Sequence, residues 1–168
     1  THAQASQLVF TTQPAASTVA GIAFATQPVV TIEDQFGNIV TTGDDATRLV
    51  TLSIKAPGTG TLSGDVHIAA IGGVSTFTGL SINLIGSKTL TATATLTAGE
   101  TTGDSSAFAI THAQASQLVF TTEPAASTVA GIAFATQPAV TIEDQFGNIV
   151  TTGDDAMRLV TLSIKAPG

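Results

Sequence analysis

Lys88–Glu100 reads KTLTATATLTAGE. Leu90, Ala92, Ala94 and Leu96 alternate without error against Thr89, Thr91, Thr93, Thr95 and Thr97. Successive side chains of a strand point to opposite faces, so this stretch has one apolar face and one hydroxyl face. Such a period of two predicts a half-buried β-strand. Threonine suits the wetted face, because a β-branched side chain packs well on a pleated surface.

The same pattern extends outward on both sides. Strands are predicted at Gln7–Thr12 and Val29–Asp34, with a short one around Ile22–Ala25. In RLVTLSI (Arg48–Ile54), Val50, Leu52 and Ile54 share one face and Leu49, Thr51 and Ser53 the other. Further strands are expected in VHIAAI (Val66–Ile71), VSTFTGLSIN (Val74–Asn83) and SSAFAI (Ser105–Ile110). Phe10, Ile32, Leu52, Ile54, Leu90 and Phe108 are the expected core. DQFGN (Asp34–Asn38) reads as a turn, with Gly37 or Asn38 free to take positive φ and Phe36 capping the core edge. Short strands with turn signals every ~8–12 residues predict an all-β, immunoglobulin-like antiparallel β-sandwich.

Thr1–Gly58 and Thr111–Gly168 align without a gap and differ only at Gln13/Glu123, Val29/Ala139 and Thr47/Met157. The period is 111 − 1 = 110 residues. Solenoid repeats run ~20–50 residues, whereas one sandwich domain takes ~100. The expected organisation is therefore one complete repeat, residues 1–110, followed by the first half of a second, residues 111–168. Polar linkers are expected at about residues 1–6 and 111–116. Residues 59–110 are offered two almost identical first halves. Pairing with 1–58 is expected, because it leaves THAQAS as the linker; pairing with 111–168 is the alternative. A half-unit without a partner would expose apolar surface at Phe120, Ile142, Leu162 and Ile164.

Composition narrows the function. The 168 residues carry a formal charge of −7, with 43% hydrophobic and only 10% charged residues. An acidic chain with scattered Lys and Arg argues against nucleic acid and anionic membranes as partners. No apolar run approaches the ~18 residues of a membrane span. The absence of cysteine excludes disulfides, thiolate metal sites and a cysteine nucleophile.

LVFTTQP, VTIEDQFGNIVT, VTLSI, GTLSG, GVSTFTGLSI and TLTATA, in this order, resemble the bacterial immunoglobulin-like (Big-type) tandem repeats of large surface and secreted proteins. The resemblance implies an extracellular or cell-surface location in the bacterial envelope. It also implies a role as a spacer or stalk that projects other domains. Neighbouring repeats of the same chain are the implied partners. The alternative is an adhesive module that contacts a host or matrix ligand through sandwich-end loops such as AASTVAG or GDVH.

The oxygen-rich positions allow one metal reading. Calcium takes about six to eight oxygens. Glu33, Asp34, Asn38, Asp44 and Asp45 supply such atoms, with equivalents Glu143, Asp144, Asn148, Asp154 and Asp155. The competing reading is turn chemistry, with Asp34 bonding amides two residues on. No other cofactor is implied. His67 is the one histidine inside a full unit, and there is no G-x-S-x-G elbow around a nucleophile. Glu33–Asp34 and Asp44–Asp45 are adjacent pairs whose members diverge on a strand, unlike a glycosidase pair. An enzyme is not expected. A lysine–asparagine crosslink would draw on Lys55, Lys88, Asn38 and Asn83, the lysines otherwise being exposed at strand ends.

Overall fold

The computed structural model describes residues 1–165. The last positions of the expected second half-unit, 166–168, lie outside the described residues. The chain divides into two compact units, residues 1–111 and 112–168. It is all-β: among the described residues there is no α-helix, only two short 3₁₀ turns at Asp44–Thr47 and Asp154–Met157.

In the first unit the strands are β1 (Ala5–Thr12), β2 (Ser17–Val19), β3 (Val29–Asp34), β4 (Leu49–Ile54), β5 (Leu62–Ser63), β6 (His67–Ala69) and β7 (Val74–Thr76). They are followed by β8 (Ser81–Ile82), β9 (Gly86–Lys88), β10 (Leu90–Leu96), β11 (Gly99–Asp104) and β12 (Phe108–Thr111). One sheet has the order β1-β3-β7 and another β11-β10-β4-β6; a third, β2-β12-β9, joins β12 to β2 in parallel and to β9 antiparallel. Only Thr89 separates β9 from β10, and residues 105–107 separate β11 from β12. The second and third sheets are thus linked by two short connections. β5 and β8 form a separate two-stranded ribbon.

Lys88–Glu100 behaves as its alternation dictates. Leu90, Ala92, Ala94 and Leu96 are buried, and the threonines between them are part-buried or exposed. Phe10, Val30, Ile32, Val50, Leu52, Phe77, Leu80 and Phe108 complete one core. Burying each such side chain contributes ~1.5–3 kcal/mol. Phe24 closes one end by meeting the Phe108 ring edge-on, at 5.3 Å between centroids. β1 packs against β11 so closely that a Cβ on Gly103 would lie 2.1 Å from the Leu8 carbonyl oxygen.

Several expectations need correction. Ile54, at the end of β4, is only part-buried. Phe36 sits at the tip of its turn and is exposed, so it caps nothing. No strand forms at Ile22–Ala25; the strand in that connection is β2, held by its parallel pairing with β12. β11 was hidden because GETTGD carries no apolar alternation; it forms by pairing along β10 through the Leu96/Gly99 hairpin. VSTFTGLSIN is two strands, β7 and β8, in different sheets.

Residues 59–111 pair with residues 1–58: β10 with β4, β7 with β3 and β12 with β2. Chain reach explains why. Along the two neighbouring runs Gly103 faces Leu8, the Ser106 N–H donates to Gln13 Oε1 at 2.8 Å, the Ala109 N–H donates to the Ala16 carbonyl at 2.9 Å, and Thr111 lies opposite Val19. Residues 8–19 and 103–111 thus run in the same direction. Pairing with the second copy would put Thr111 beside Val129 and Ala115 beyond Gly103. That separation is roughly 35 Å at ~3.3 Å per residue. The stretch from Thr111 to Ala115 reaches at most ~14 Å.

The second unit has β13 (Ala115–Thr122) and β14 (Ala139–Asp144), paired in the register of β1 and β3. Its equivalents of β2 and β4, residues 127–129 and 159–164, form no strand. LVTLSI is therefore a strand at Leu49–Ile54 and not at residues 159–164, in identical sequence. What differs is the presence of β10 and β6 alongside, so strand formation here follows the partner rather than intrinsic propensity.

Candidate functional site

The turn after β3 gathers the sequence-predicted polar residues. Asp34 is fully buried, and its carboxylate is surrounded by nitrogen donors. Oδ1 accepts from the backbone N–H groups of Phe36 at 2.9 Å and Asn38 at 3.0 Å, and from Asn38 Nδ2 at 3.2 Å. Oδ2 accepts from Asn38 Nδ2 at 3.1 Å and from the Ala3 N–H at 2.7 Å. Gly37 makes the turn at φ +81°, a conformation that side chains disfavour, and its N–H returns to the Asp34 carbonyl at 3.1 Å. Burial pushes the Asp34 carboxyl up. The donors from Ala3, Asn38 and Phe36 outweigh it and hold the group well below the usual carboxylate range.

This cluster also holds the chain entering the unit. Ala3 is fastened to Asp34, and His2 hydrogen-bonds Thr42 Oγ1 through Nε2 at 3.0 Å and the Ala3 carbonyl through Nδ1 at 2.9 Å. β1 opens at Ala5, inside the stretch expected to be linker. The second unit repeats the arrangement: Asp144 accepts from Ala113 at 2.8 Å, Phe146 at 2.8 Å and Asn148 N at 3.0 Å, and His112 reaches Thr152 at 2.8 Å. The role of the histidine was missed in the sequence. Its only trace there was that THAQAS is repeated as faithfully as the strands.

The other proposed calcium ligands lie apart from this carboxylate or face elsewhere. Glu33 is buried, and its Oε1 accepts from Thr31 Oγ1 at 2.6 Å; Glu143 accepts from Thr141 Oγ1 at 2.8 Å. Asp44 and Asp154 are exposed at the start of the 3₁₀ turns. Asp45 Oδ1 accepts from Thr97 N–H at 2.8 Å, Thr97 Oγ1 at 2.9 Å and Arg48 Nε at 3.2 Å, tying the turn to the end of β10. Burial raises its pKa, but Thr97 and Arg48 bring it below the ordinary value. Asp155 keeps only the local partner of that set, Arg158 Nε at 3.1 Å. Among the described residues no group of three or more His, Cys, Asp or Glu side chains is placed to hold a metal ion. The structure brings Asp34 and Asn38 together, and their approach is made through N–H groups rather than by oxygens converging on one point.

A second polar feature is a cleft lined by residues 55–59 and 85–89. Lys88 is buried there, contrary to its expected exposure, and donates to the Thr59 carbonyl at 2.9 Å. Burial lowers its pKa. Lys55 pairs with Asp104, and Asn83 Oδ1 accepts from the Thr61 N–H at 2.7 Å. His67 is exposed beside Thr51 Oγ1 at 3.0 Å, and Asp65 accepts from Thr78 Oγ1 at 2.7 Å.

Compared with known proteins, the chain matches no family model and no curated protein.

Proposed function

We propose that the chain is a piece of a repetitive bacterial cell-surface or secreted protein, a non-enzymatic spacer built from immunoglobulin-like sandwiches of the Big type. The observation that carries this reading is the near-identity of residues 1–58 and 111–168. A near-exact repeat at a period of 110 residues suits a module whose contribution is length. The three differing positions fit that reading: Gln13 bonds the Ser106 N–H, Val29 opens β3, and Thr47 ends a 3₁₀ turn, so they do not gather at one loop surface. The sandwich itself is supported by the β1-β3-β7 sheet on one side and the linked strands β2, β12/β11, β9/β10, β4, β6 on the other, with β1 packed against β11. Both groups of strands carry buried apolar side chains, Leu8, Val30 and Ile32 on the one and Val50, Leu52 and Leu90 on the other, as a shared core would require. The Asp34 cluster serves as a clasp that fixes where the incoming chain joins each unit.

The test uses concatemers of two, four and eight copies of residues 1–110. The spacer reading expects contour length to grow by a constant increment per unit, while binding to immobilised matrix proteins and glycans stays at background. Binding that rises with copy number would favour the adhesive module instead.

A further inference from the structure

The face of β13, β14 and residues 159–164 is, we infer, an acceptor surface for a polypeptide segment with the sequence of residues 59–111. This goes beyond the spacer reading and holds equally for an adhesive module. Side chains that are buried in the first unit are open at the equivalent positions of the second. Leu8 is 5% exposed and Leu118 58%; Phe10 is 6% and Phe120 46%; Leu52 is 3% and Leu162 52%. The backbone beneath is alike, since β13 and β14 keep the register of β1 and β3, including both irregularities. What covers the first-unit face is residues 59–111: β10 alongside β4, β7 along the free edge of β3, and β11 across β1. The same ladder edge stands unpaired at residues 139–141 among the described residues.

The acceptor's chemistry matches that segment position by position. The β14 edge offers the donors and acceptors that Val29–Thr31 give to Val74–Thr76. Asp155 has oxygens for the Thr97 N–H and hydroxyl that Asp45 takes up in the first unit. Glu123 retains a carboxylate oxygen where Gln13 Oε1 receives the Ser106 N–H. The one position that loses contact area is Ala139 in place of Val29. The chain's own residues 59–111 are excluded as the occupant by the ~14 Å reach of Thr111–Ala115. The occupant must therefore be another copy of that segment. Such addition uses main-chain pairing at a sheet edge for affinity and alternate side-chain pockets for specificity.

The test adds a separate polypeptide of residues 59–111 to the isotope-labelled full chain. A parallel protein carries a second copy of residues 59–111 joined after Gly168, which removes any dependence on the probe's solubility. In either format the proposal expects amide exchange at Val119, Phe120 and Ile142 to slow by about a hundredfold or more, as when frayed strands join a cooperative core. Phe120→Asp should abolish that protection while leaving exchange at Val9 and Phe10 unchanged. Protection in either format supports the proposal. Absence of protection in both overturns it, as does a full chain whose face is already protected by self-association that the probe fails to displace.

Discussion

Asp34 and Asn38 are joined through both carboxylate oxygens: Asn38 N–H and Nδ2 reach Oδ1 at 3.0 and 3.2 Å, and Nδ2 reaches Oδ2 at 3.1 Å. Asp144 and Asn148 repeat the relationship at 3.0 Å to Oδ1 and 2.9 Å to Oδ2. The clasp thus assembles the same way whether or not residues equivalent to 59–111 cover the sheet. It needs only the turn and the incoming strand, both of which lie within one half-unit.

That clasp makes the first unit sensitive to acid. The folded Asp34 carboxyl titrates below its unfolded value of ~3.9. Its stabilisation is therefore fully present above about pH 4 and is lost as pH falls through the lower folded value. Asp34→Asn should lower Tm at neutral pH, because an amide presents an NH₂ group to N–H donors and leaves them unpaired. It should also flatten the dependence of Tm on pH below about 4. Melting curves between about pH 2 and 7 check both parts. An unchanged acid slope in the variant would remove Asp34 as a source of the acid sensitivity.

Calcium should not bind at this turn. A cation at Asp34 would have to displace N–H groups from both oxygens and then face their positive ends. Millimolar calcium is expected to leave the melting temperature where it was. A saturable rise, accompanied by calorimetric binding heat, would place an ion on the chain after all.

The duplicated sequence supplies an internal control for packing. Leu52→Ala should cost about 2–5 kcal/mol, the range for a buried leucine whose cavity closes only in part. Leu162→Ala, at the half-exposed equivalent, should cost under about 0.5 kcal/mol. Chemical denaturation followed on the first unit measures the former, and two-dimensional NMR of the second unit the latter. Equal effects would mean that residues 59–111 are not what buries this position.

The repeat also separates what local sequence dictates from what partners dictate. The Lys88–Glu100 alternation announced its buried face residue by residue, and DQFGN announced its turn, because both depend on near neighbours. β2 and β11 were not legible: STV and GETTGD lack an apolar period, and each becomes a strand through a partner, β12 and β10 respectively. Of the candidate site, the Asp34–Asn38 pairing could be read from spacing. The bonds from Ala3 and from Thr97 to the two aspartates could not, since they span 31 and 52 residues.

Trypsin offers the most direct reading of that difference. Arg48 and Arg158 sit in nearly the same sequence, DDATRLVTLSIK and DDAMRLVTLSIK, so the protease's own preference is matched. Arg48 leads into β4, which is laddered on both sides by β10 and β6. Asp45, beside it, is further tied to Thr97. Arg158 leads into residues that form no strand, with Leu159 and Ile164 exposed. Cleavage after Arg48 requires the first unit to open, whereas cleavage after Arg158 requires almost no opening. Mass spectrometry of a time course should therefore show Arg158 cut at least about a hundredfold faster than Arg48, since opening free energies range from near zero in frayed segments to the global value in core strands. The surviving fragment should contain the whole first unit. Equal rates at the two arginines would mean that the β10–β4–β6 ladder gives Arg48–Ile54 no protection in solution.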